Sequence, residues 1–285
     1  MSTGTVQPLQ PLPYEPEEIE QVLIASGMPA GAARTAYRNI SQTSVALARG
    51  QMPDRGLKTY VFNKNDMSGS MLRVRQDLIN AYNEDFLGGL LGSSEPDQIF
   101  VSTCNFNDSN YANFVPDPAD PDSRADPLHL VHAAIPLSRA PQLTDQIYVP
   151  GGFTPLYDSE LAFLAGVMAY IEKLLARGVS IHRVITLSST DGREEGTGHY
   201  VNQPAEVAPV VQAMRDMGIY IPVFIGFGDQ MGFRQVAVAM GYDPDNVLIA
   251  GSGASEYRRV FGLVSRRSVG VSQGKITPGN KFLQT

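Results

Sequence analysis

From Leu57 onward, short apolar runs alternate with longer amphipathic runs along the chain. The short runs have the length and the β-branched and aromatic content of strands, whereas the longer runs repeat apolar residues every three or four positions, as helices do. The predicted strands, in chain order, are LKTYVF, QIFVSTCNF, LHLVHAAIPL, HRVITLSS, IYIPVFIGF and NVLIA. Strands that alternate with helices form a mostly parallel sheet covered on both faces. We therefore predict a doubly wound α/β fold.

One step of this alternation lacks a helix. The second and third predicted strands are separated only by a polar loop, residues 105–127. Without a crossover helix, two consecutive strands pair in opposite directions. The sequence therefore predicts one antiparallel edge strand. The loop itself is rich in Asp and Pro, and it is interpreted either as part of a partner-binding rim or as a solvated insertion.

The segments that flank residues 56–268 have different patterns. Residues 1–14 are rich in Pro, Gln and Thr, which predicts a flexible arm. Residues 15–55 contain three short helical patterns and predict a small helical N-terminal extension. This extension faintly resembles a ubiquitin-associated type three-helix bundle, and the alternative is a helical extension packed on the main domain. Residues 269–285 are predicted to form a polar C-terminal tail.

Charge and cysteine content narrow the classes of partner. The 285 residues carry a formal net charge of −7, which argues against a general affinity for nucleic acid or for anionic membranes. Cys104 is the single cysteine, so an intrachain disulfide is excluded and a reducing compartment is favoured. No apolar run approaches the ~20 residues of a membrane span, and the start MSTGTVQPLQPLPYEP lacks the features of a secretory signal. We expect a cytoplasmic protein.

Polar residues follow or precede predicted elements at three places. Asp66, Ser68 and Ser70 occupy alternate positions after the first strand, Thr154 precedes a long helix, and Asp191 follows the fourth strand. Ligands of doubly wound sheets bind outside the carboxyl ends of the strands, so these segments are expected to meet. All five side chains offer oxygen, the donor that Mg²⁺ and Mn²⁺ prefer. The sequence predicts a metal site for one of these cations.

The chain resembles von Willebrand factor A (VWA) domains over about residues 57–268, in motifs that occur in the family's order and spacing. These motifs are DMSGSM (66–71), GFTPLYD (152–158) and TDG (190–192). The segments GFTPLYDS and RRVFGLVSRRS are most similar to bacterial intracellular members. The resemblance implies a Rossmann-like fold with a metal-ion-dependent adhesion site.

In that site, the resemblance implies that Ser68 and Ser70 bind the ion through their hydroxyls. Thr154 would bind directly when a ligand is engaged, and Asp66 and Asp191 would act directly or through water. Domains of this family usually bind proteins and are not enzymes. The resemblance thus implies a metal-dependent protein–protein interaction module, an adaptor or subunit of a larger complex, whose ion accepts an Asp or Glu of the partner.

Two other functions stay open at this point. The chain is alternatively a structural or assembly protein, for example of a virion or a machine, that uses the fold without a functional ion. The second and less favoured alternative is a hydrolase with Ser68 as nucleophile, because a nucleophilic serine needs an adjacent base. Of the four histidines, only His199 lies in a loop after Asp191. Ser70 also suits the N-cap of the following helix.

The chain departs from the family pattern immediately before the first motif. Asn63, Lys64 and Asn65 stand where family members usually run apolar residues up to the first Asp. A lysine beside a cation is unfavourable unless its side chain points away from the ion. The position of Lys64 is therefore decisive for the predicted metal site.

Overall fold

The computed structural model describes most of the chain. The described residues are 16–25, 27–38, 40–51, 53, 57–115, 118, 124–195, 200–228, 232–276 and 282–283. The arm predicted for residues 1–14 and the loop residue His199 lie outside them.

Six strands in the described part of the chain form one sheet. They are β1 (Lys58–Asp66), β2 (Ile99–Phe106), β3 (Leu128–Pro136), β4 (Ile181–Thr190), β5 (Tyr220–Phe227) and β6 (Val247–Ala250). Their spatial order is β3-β2-β1-β4-β5-β6. Strand β3 pairs antiparallel with β2, and the other neighbouring strands pair in parallel. The predicted doubly wound, Rossmann-like α/β fold with one antiparallel edge strand is confirmed.

Helices cover both faces of the sheet. Those in the described residues are α1 (Pro16–Ala25), α2 (Ala30–Arg38), α3 (Gln42–Ala48), α4 (Arg75–Asn80), α5 (Gly88–Leu91), α6 (Leu156–Ala176), α7 (Ala208–Asp216), α8 (Phe233–Ala239) and α9 (Ala254–Ser272). A 3₁₀ segment, Gly69–Val74, precedes α4, and a π-helical segment, Ala81–Leu87, joins α4 to α5. Across the described residues, no helix combines the length and the hydropathy that crossing a bilayer requires.

The sheet separates two apolar cores. The α6 core lies on one face and includes Tyr60 and Phe62 of β1, together with residues of α6, α7 and α1–α3. The α9 core lies on the other face and includes Val61 of β1, with residues of α9 and of the helical segment before β2. Successive residues of β1 thus alternate between the two cores, as the geometry of a strand requires.

The helical N-terminal extension packs against α6. The hydroxyl of Ser44 in α3 donates a hydrogen bond to the carbonyl of Ala162, at 2.6 Å. A Cβ on Gly166 would lie 2.8 Å from the carbonyl oxygen of Ser44, so α3 approaches α6 at a position where only glycine fits. The extension therefore packs on the main domain.

The C-terminal end of the fold differs from its prediction. Helix α9 continues to Ser272, four residues into the segment for which a polar tail is predicted. Val271 and Phe282 are buried in the α9 core. Val269, Ile276 and Leu283 also pack against this core, so apolar residues spaced among polar ones anchor the segment.

A buried histidine predicts how stability depends on pH. His132 on β3 is buried, and burial lowers its pKa to about 4, from an ordinary value near 6.5. Between these two values the unfolded chain binds a proton that the folded chain does not, so stability falls as the pH decreases. From about pH 7.5 to about pH 5, the unfolding free energy should fall by about 2 kcal/mol more than that of His132→Gln. Urea unfolding of both proteins measures this, and parallel pH profiles would refute it.

Candidate metal-binding site

The site lies where the winding of the sheet reverses. Strands β1 and β4 are neighbours at the centre of the sheet, and the chain proceeds from β1 towards β3 but from β4 towards β6. The loops that follow the two strands therefore diverge and leave a crevice at their carboxyl ends. Asp66 is the last residue of β1 and Thr190 the last residue of β4, so both lie at this crevice.

Hydrogen bonds join the loops after β1 and β4. Asp66 accepts one from the backbone N–H of Ser68, at 2.8 Å, and one from the hydroxyl of Thr190, at 2.6 Å. The hydroxyl oxygens of Ser68 and Ser70 lie 3.0 Å apart. Ser70 in turn donates to the carboxylate of Asp191, at 2.5 Å. Four of the five residues predicted for the site are thus brought together.

Thr154 reaches the crevice from the loop before α6. The backbone N–H of Gly69 donates to the carbonyl of Gly152, at 2.9 Å. This hydrogen bond holds the loop after β1 beside the loop before α6. Gly152 has a φ of +70°, a conformation that glycine adopts without strain. A Cβ on Gly192 would lie 2.7 Å from the hydroxyl oxygen of Thr154. The absence of a side chain at Gly192 therefore makes room for this hydroxyl beside Asp191.

The site opens to solvent at Ser70 and Asp191. Asp66, Ser68 and Thr154 are buried. Ser70 is exposed and Asp191 is partly exposed. An incoming group therefore reaches the crevice from the side of Ser70 and Asp191.

The electrostatics reflect this burial. Burial raises the pKa of Asp66, opposed by the hydrogen bonds from Thr190 and Ser68 and by the charge of Lys64. Burial also raises the pKa of Asp191, to about 6. The hydrogen bond from Ser70 lowers that pKa, the charge of Asp66 raises it, and the charge of Arg73 lowers it. Two carboxylates in one poorly solvated crevice favour an added positive charge.

The donor set fits a hard cation. All the side chains that meet here offer oxygen, and the neighbouring ligands of an octahedral Mg²⁺ lie about 3 Å apart, as the hydroxyl oxygens of Ser68 and Ser70 do. The described residues contain no group of three or more His, Cys, Asp or Glu side chains placed to hold a metal. Any cation in this crevice would therefore depend on hydroxyl oxygens.

Supporting residues that the sequence reasoning missed hold the loops in place. The hydroxyl of Tyr148 donates to the backbone carbonyl of Asp66. The side-chain amide of Asn107 donates to the carbonyls of Met67 and Gly151, at 3.2 and 3.0 Å. Asn107 directly follows β2, so it lies at the same edge of the sheet as Asp66. This position after a strand is the sequence signal that marks Asn107 as a candidate.

Lys64 points away from the crevice and into the α6 core. Its ammonium lies 2.7 Å from a carboxylate oxygen of Glu160, and both side chains are fully buried. It also donates to the hydroxyl of Ser159, at 2.9 Å, and lies 4.3 Å from the ring centroid of Phe106. The lysine that departs from the family pattern is thus neutralised behind the site and does not occupy it.

Asn63 and Asn65 share the opposite face of β1 with Val61. Asn63 donates to the side chain of Asn65, at 2.9 Å, and Asn65 donates to that of Asn105 on β2, at 3.3 Å. The hydroxyl of Ser189 on β4 donates to the carbonyl of Lys64, at 3.2 Å. These polar side chains form hydrogen bonds across three central strands, which explains how the strand tolerates them.

Two other predictions concern single residues. Ser70 is not a helix N-cap: it lies inside the 3₁₀ segment, whose N-cap position is Ser68, and its hydroxyl is directed to Asp191. Cys104, the single cysteine, is buried on β2.

The loop between β2 and β3 contacts the helical extension. Asp126 accepts a hydrogen bond from the backbone N–H of Thr43, so part of the loop between β2 and β3 holds the start of α3.

In the described residues, each histidine has its Nε2 beside another polar group. The partners are the side chain of Asn107 for His129, the hydroxyl of Tyr82 for His132 and the backbone carbonyl of Val271 for His182.

Comparisons with solved structures find similar folds at low identity. Proximal thread matrix protein 1 from the mussel byssus is 12% identical over 75% of this chain and 46% of its own, with a TM-score of 0.41. The pilus adhesin SpaC from Lactobacillus rhamnosus GG is 13% identical over 76% and 31%, with a TM-score of 0.49. Human COPII-coat protein Sec24c is 12% identical over 75% and 32%, with a TM-score of 0.40.

This chain spans less than half the length of each of these three proteins. A further structure of the mussel protein, with a TM-score of 0.40, is described as having a zinc occupied MIDAS motif. No protein-family model and no curated protein matches the sequence. The values are too low to assign the chain to a family.

The buried ion pair generates a prediction about stability. Lys64→Met leaves Glu160 charged and unpaired, and Glu160→Gln leaves Lys64 without its counter-charge, so each should cost about 3–5 kcal/mol of unfolding free energy. The double variant should be more stable than either single variant, because a glutamine side chain at position 160 can still accept from Ser188 and Tyr242, whose hydroxyls donate to Glu160 in the wild-type chain. Denaturant unfolding measures all three.

The matched control is the exposed pair of Arg258 and Glu84, at 3.0 Å. The substitutions Arg258→Met and Glu84→Gln should change the unfolding free energy little, because exposed pairs are screened by water. Two results would contradict the role assigned to Lys64. One is an equal loss of unfolding free energy for the buried and the exposed pair, and the other is additive losses for the two substitutions of the buried pair.

Proposed function

We propose that this chain is a cation-dependent protein-interaction module, an adaptor or subunit of a larger complex. It holds Mg²⁺ or Mn²⁺ in the crevice between β1 and β4, and it accepts an Asp or Glu side chain from a partner protein. The observation that carries this proposal is the convergence of Ser68, Ser70 and Asp191 through direct hydrogen bonds, with Asp66 fixed behind them. A crevice of hydroxyl and carboxylate oxygens that opens to solvent suits a hard cation with exchangeable positions.

Each residue has a distinct part in this mechanism. Ser68 and Ser70 would hold the cation through lone pairs of their hydroxyl oxygens, and the carboxylate of Asp191, to which Ser70 donates, would balance its charge. Asp66 keeps Ser68 in place and is itself held by Thr190, at 2.6 Å. The bound cation supplies an electrophilic centre for a carboxylate. Thr154, buried beside Gly192, offers a further hydroxyl to the crevice.

We propose binding without turnover. The hydroxyl oxygen of Ser68 lies 3.0 Å from that of Ser70, a group that is not a base. The histidines of the described residues contact Asn107, Tyr82 and Val271, as given above. Nucleophilic catalysis by serine needs an adjacent base, and within the described residues no histidine is hydrogen-bonded to Ser68 or Ser70. His199, the candidate base of the sequence analysis, lies outside them.

A second candidate, a structural or assembly protein that works without an ion, is favoured by one observation. Both carboxylate oxygens of Asp66 already accept hydrogen bonds, and Ser70 already donates to Asp191. The crevice is therefore hydrogen-bonded without a cation. The two candidates differ in what a cation does to the folded protein.

Cation binding should stabilise the folded protein in proportion to occupancy. At a Mg²⁺ or Mn²⁺ concentration about 100 times the dissociation constant, the unfolding free energy should rise by about 2.7 kcal/mol. Asp66→Asn and Ser68→Ala should abolish this gain, whereas Asp216→Asn and Ser94→Ala, which change exposed residues elsewhere, should retain it. Thermal unfolding and calorimetric titration measure both quantities.

A wild-type protein that neither binds nor is stabilised by millimolar Mg²⁺ or Mn²⁺ would exclude the cation-dependent module and favour the structural candidate. A chain that binds the cation equally well with Asn at position 66 and Ala at position 68 would place the ion elsewhere.

A further inference from the structure

Three strongly exposed apolar side chains lie in the segments that build the crevice. Leu72 is 59% exposed, Phe153 is 55% exposed and Val149 is 54% exposed. These are three of the four most exposed large hydrophobic side chains in the described residues. All three belong to segments that build the site.

The backbone holds each of these side chains in place. Phe153 directly precedes Thr154, and its N–H donates to the carboxylate of Asp108, at 2.6 Å. Asp108 returns a backbone hydrogen bond to the carbonyl of Phe153, at 3.3 Å. The aromatic ring of Phe153 is therefore presented to solvent from a fixed loop.

Val149 and Leu72 lie next to residues that hydrogen bonds hold in place. Val149 directly follows Tyr148, which is fully buried and whose hydroxyl donates to the backbone carbonyl of Asp66. Leu72 lies two residues after Ser70 in the 3₁₀ segment. Arg75, just beyond that segment, donates to the carbonyl of Tyr148, at 3.0 Å, which links the two loops.

Exposed positive charge lies at the same edge. Arg73 adjoins Leu72 and its charge acts on Asp191. Arg193 follows Gly192 and is also exposed. Like charges repel, so these two exposed arginines disfavour basic side chains on a bound segment.

We propose that Leu72, Val149 and Phe153 form an apolar rim that binds the bulky apolar side chains on either side of a partner's Asp or Glu. The partner is thus a protein segment in which an acid stands between apolar residues, and the arginines disfavour a segment with basic flanks. Fixed apolar side chains around a polar centre match the arrangement of energetic anchors in protein interfaces. This inference rests on the proposed function, because the cation receives the acid.

The test uses short synthetic peptides with identical ends and a central aspartate, flanked on both sides by leucine, serine or lysine. With Mg²⁺ present, the wild-type chain should bind the leucine-flanked peptide roughly tenfold more tightly than the serine-flanked one, because apolar surface leaves water. The lysine-flanked peptide should bind most weakly. Replacement of the central aspartate by asparagine, or removal of Mg²⁺, should abolish binding of all three.

The variant Leu72→Ser/Phe153→Ser should lose the preference for leucine while its calorimetric affinity for Mg²⁺ alone is unchanged. The matched control Leu91→Ser/Val238→Ser replaces apolar side chains that are 49% and 43% exposed and lie outside the site, so it should keep the preference. Fluorescence anisotropy of labelled peptides measures these affinities.

Two results would overturn the apolar rim and leave the proposed function intact: equal Mg²⁺-dependent affinities for the leucine- and serine-flanked peptides, or a preference that persists in the double variant. Absence of Mg²⁺ binding by the wild-type chain would instead overturn the proposed function, and the inference with it.

Discussion

The structure depends on one ion pair that no water reaches. The ammonium of Lys64 and the carboxylate of Glu160 lie 2.7 Å apart in the α6 core, and either charge alone would be strongly unfavourable there. The pair fixes β1 against the first turns of α6, where Ser159 is a second partner of Lys64. Because β1 ends at Asp66 and the loop before α6 carries Thr154, this contact also sets the distance between two sides of the crevice.

Around this fixed centre, the site is assembled by groups that satisfy one another. The buried carboxylate of Asp66 is held by one backbone and one hydroxyl donor, and the exposed hydroxyl of Ser70 already spans the gap to Asp191. Such an arrangement requires little reorganisation when a ligand arrives, which limits the entropic cost of binding. Rigid strands position the polar groups, and the loops between them supply the surface that a partner meets.

The sequence predicts this architecture well where its signals are periodic or local. Alternating strands and helices predict the sheet, and the polar positions after β1 and β4 predict which residues meet. Sequence periodicity does not identify Glu160 as the partner of Lys64, because the two residues are 96 positions apart and give no local signal. The available signal was complementarity, since Glu160 interrupts an apolar helix as Lys64 interrupts an apolar strand. The sequence predicts Ser70 as a helix cap because it does not distinguish a 3₁₀ segment from an α-helix.

The contact between Ser44 and Gly166 determines which segment of the chain can be transferred between proteins as one folding unit. Helix α6 is buried along most of its length, and α3 covers part of it at a distance that admits no side chain on Gly166. A gene fragment that began at residue 56 would encode the whole sheet but would leave an apolar stripe of α6 exposed to water. Recombination that moves this domain between proteins would therefore have to carry its three leading helices along.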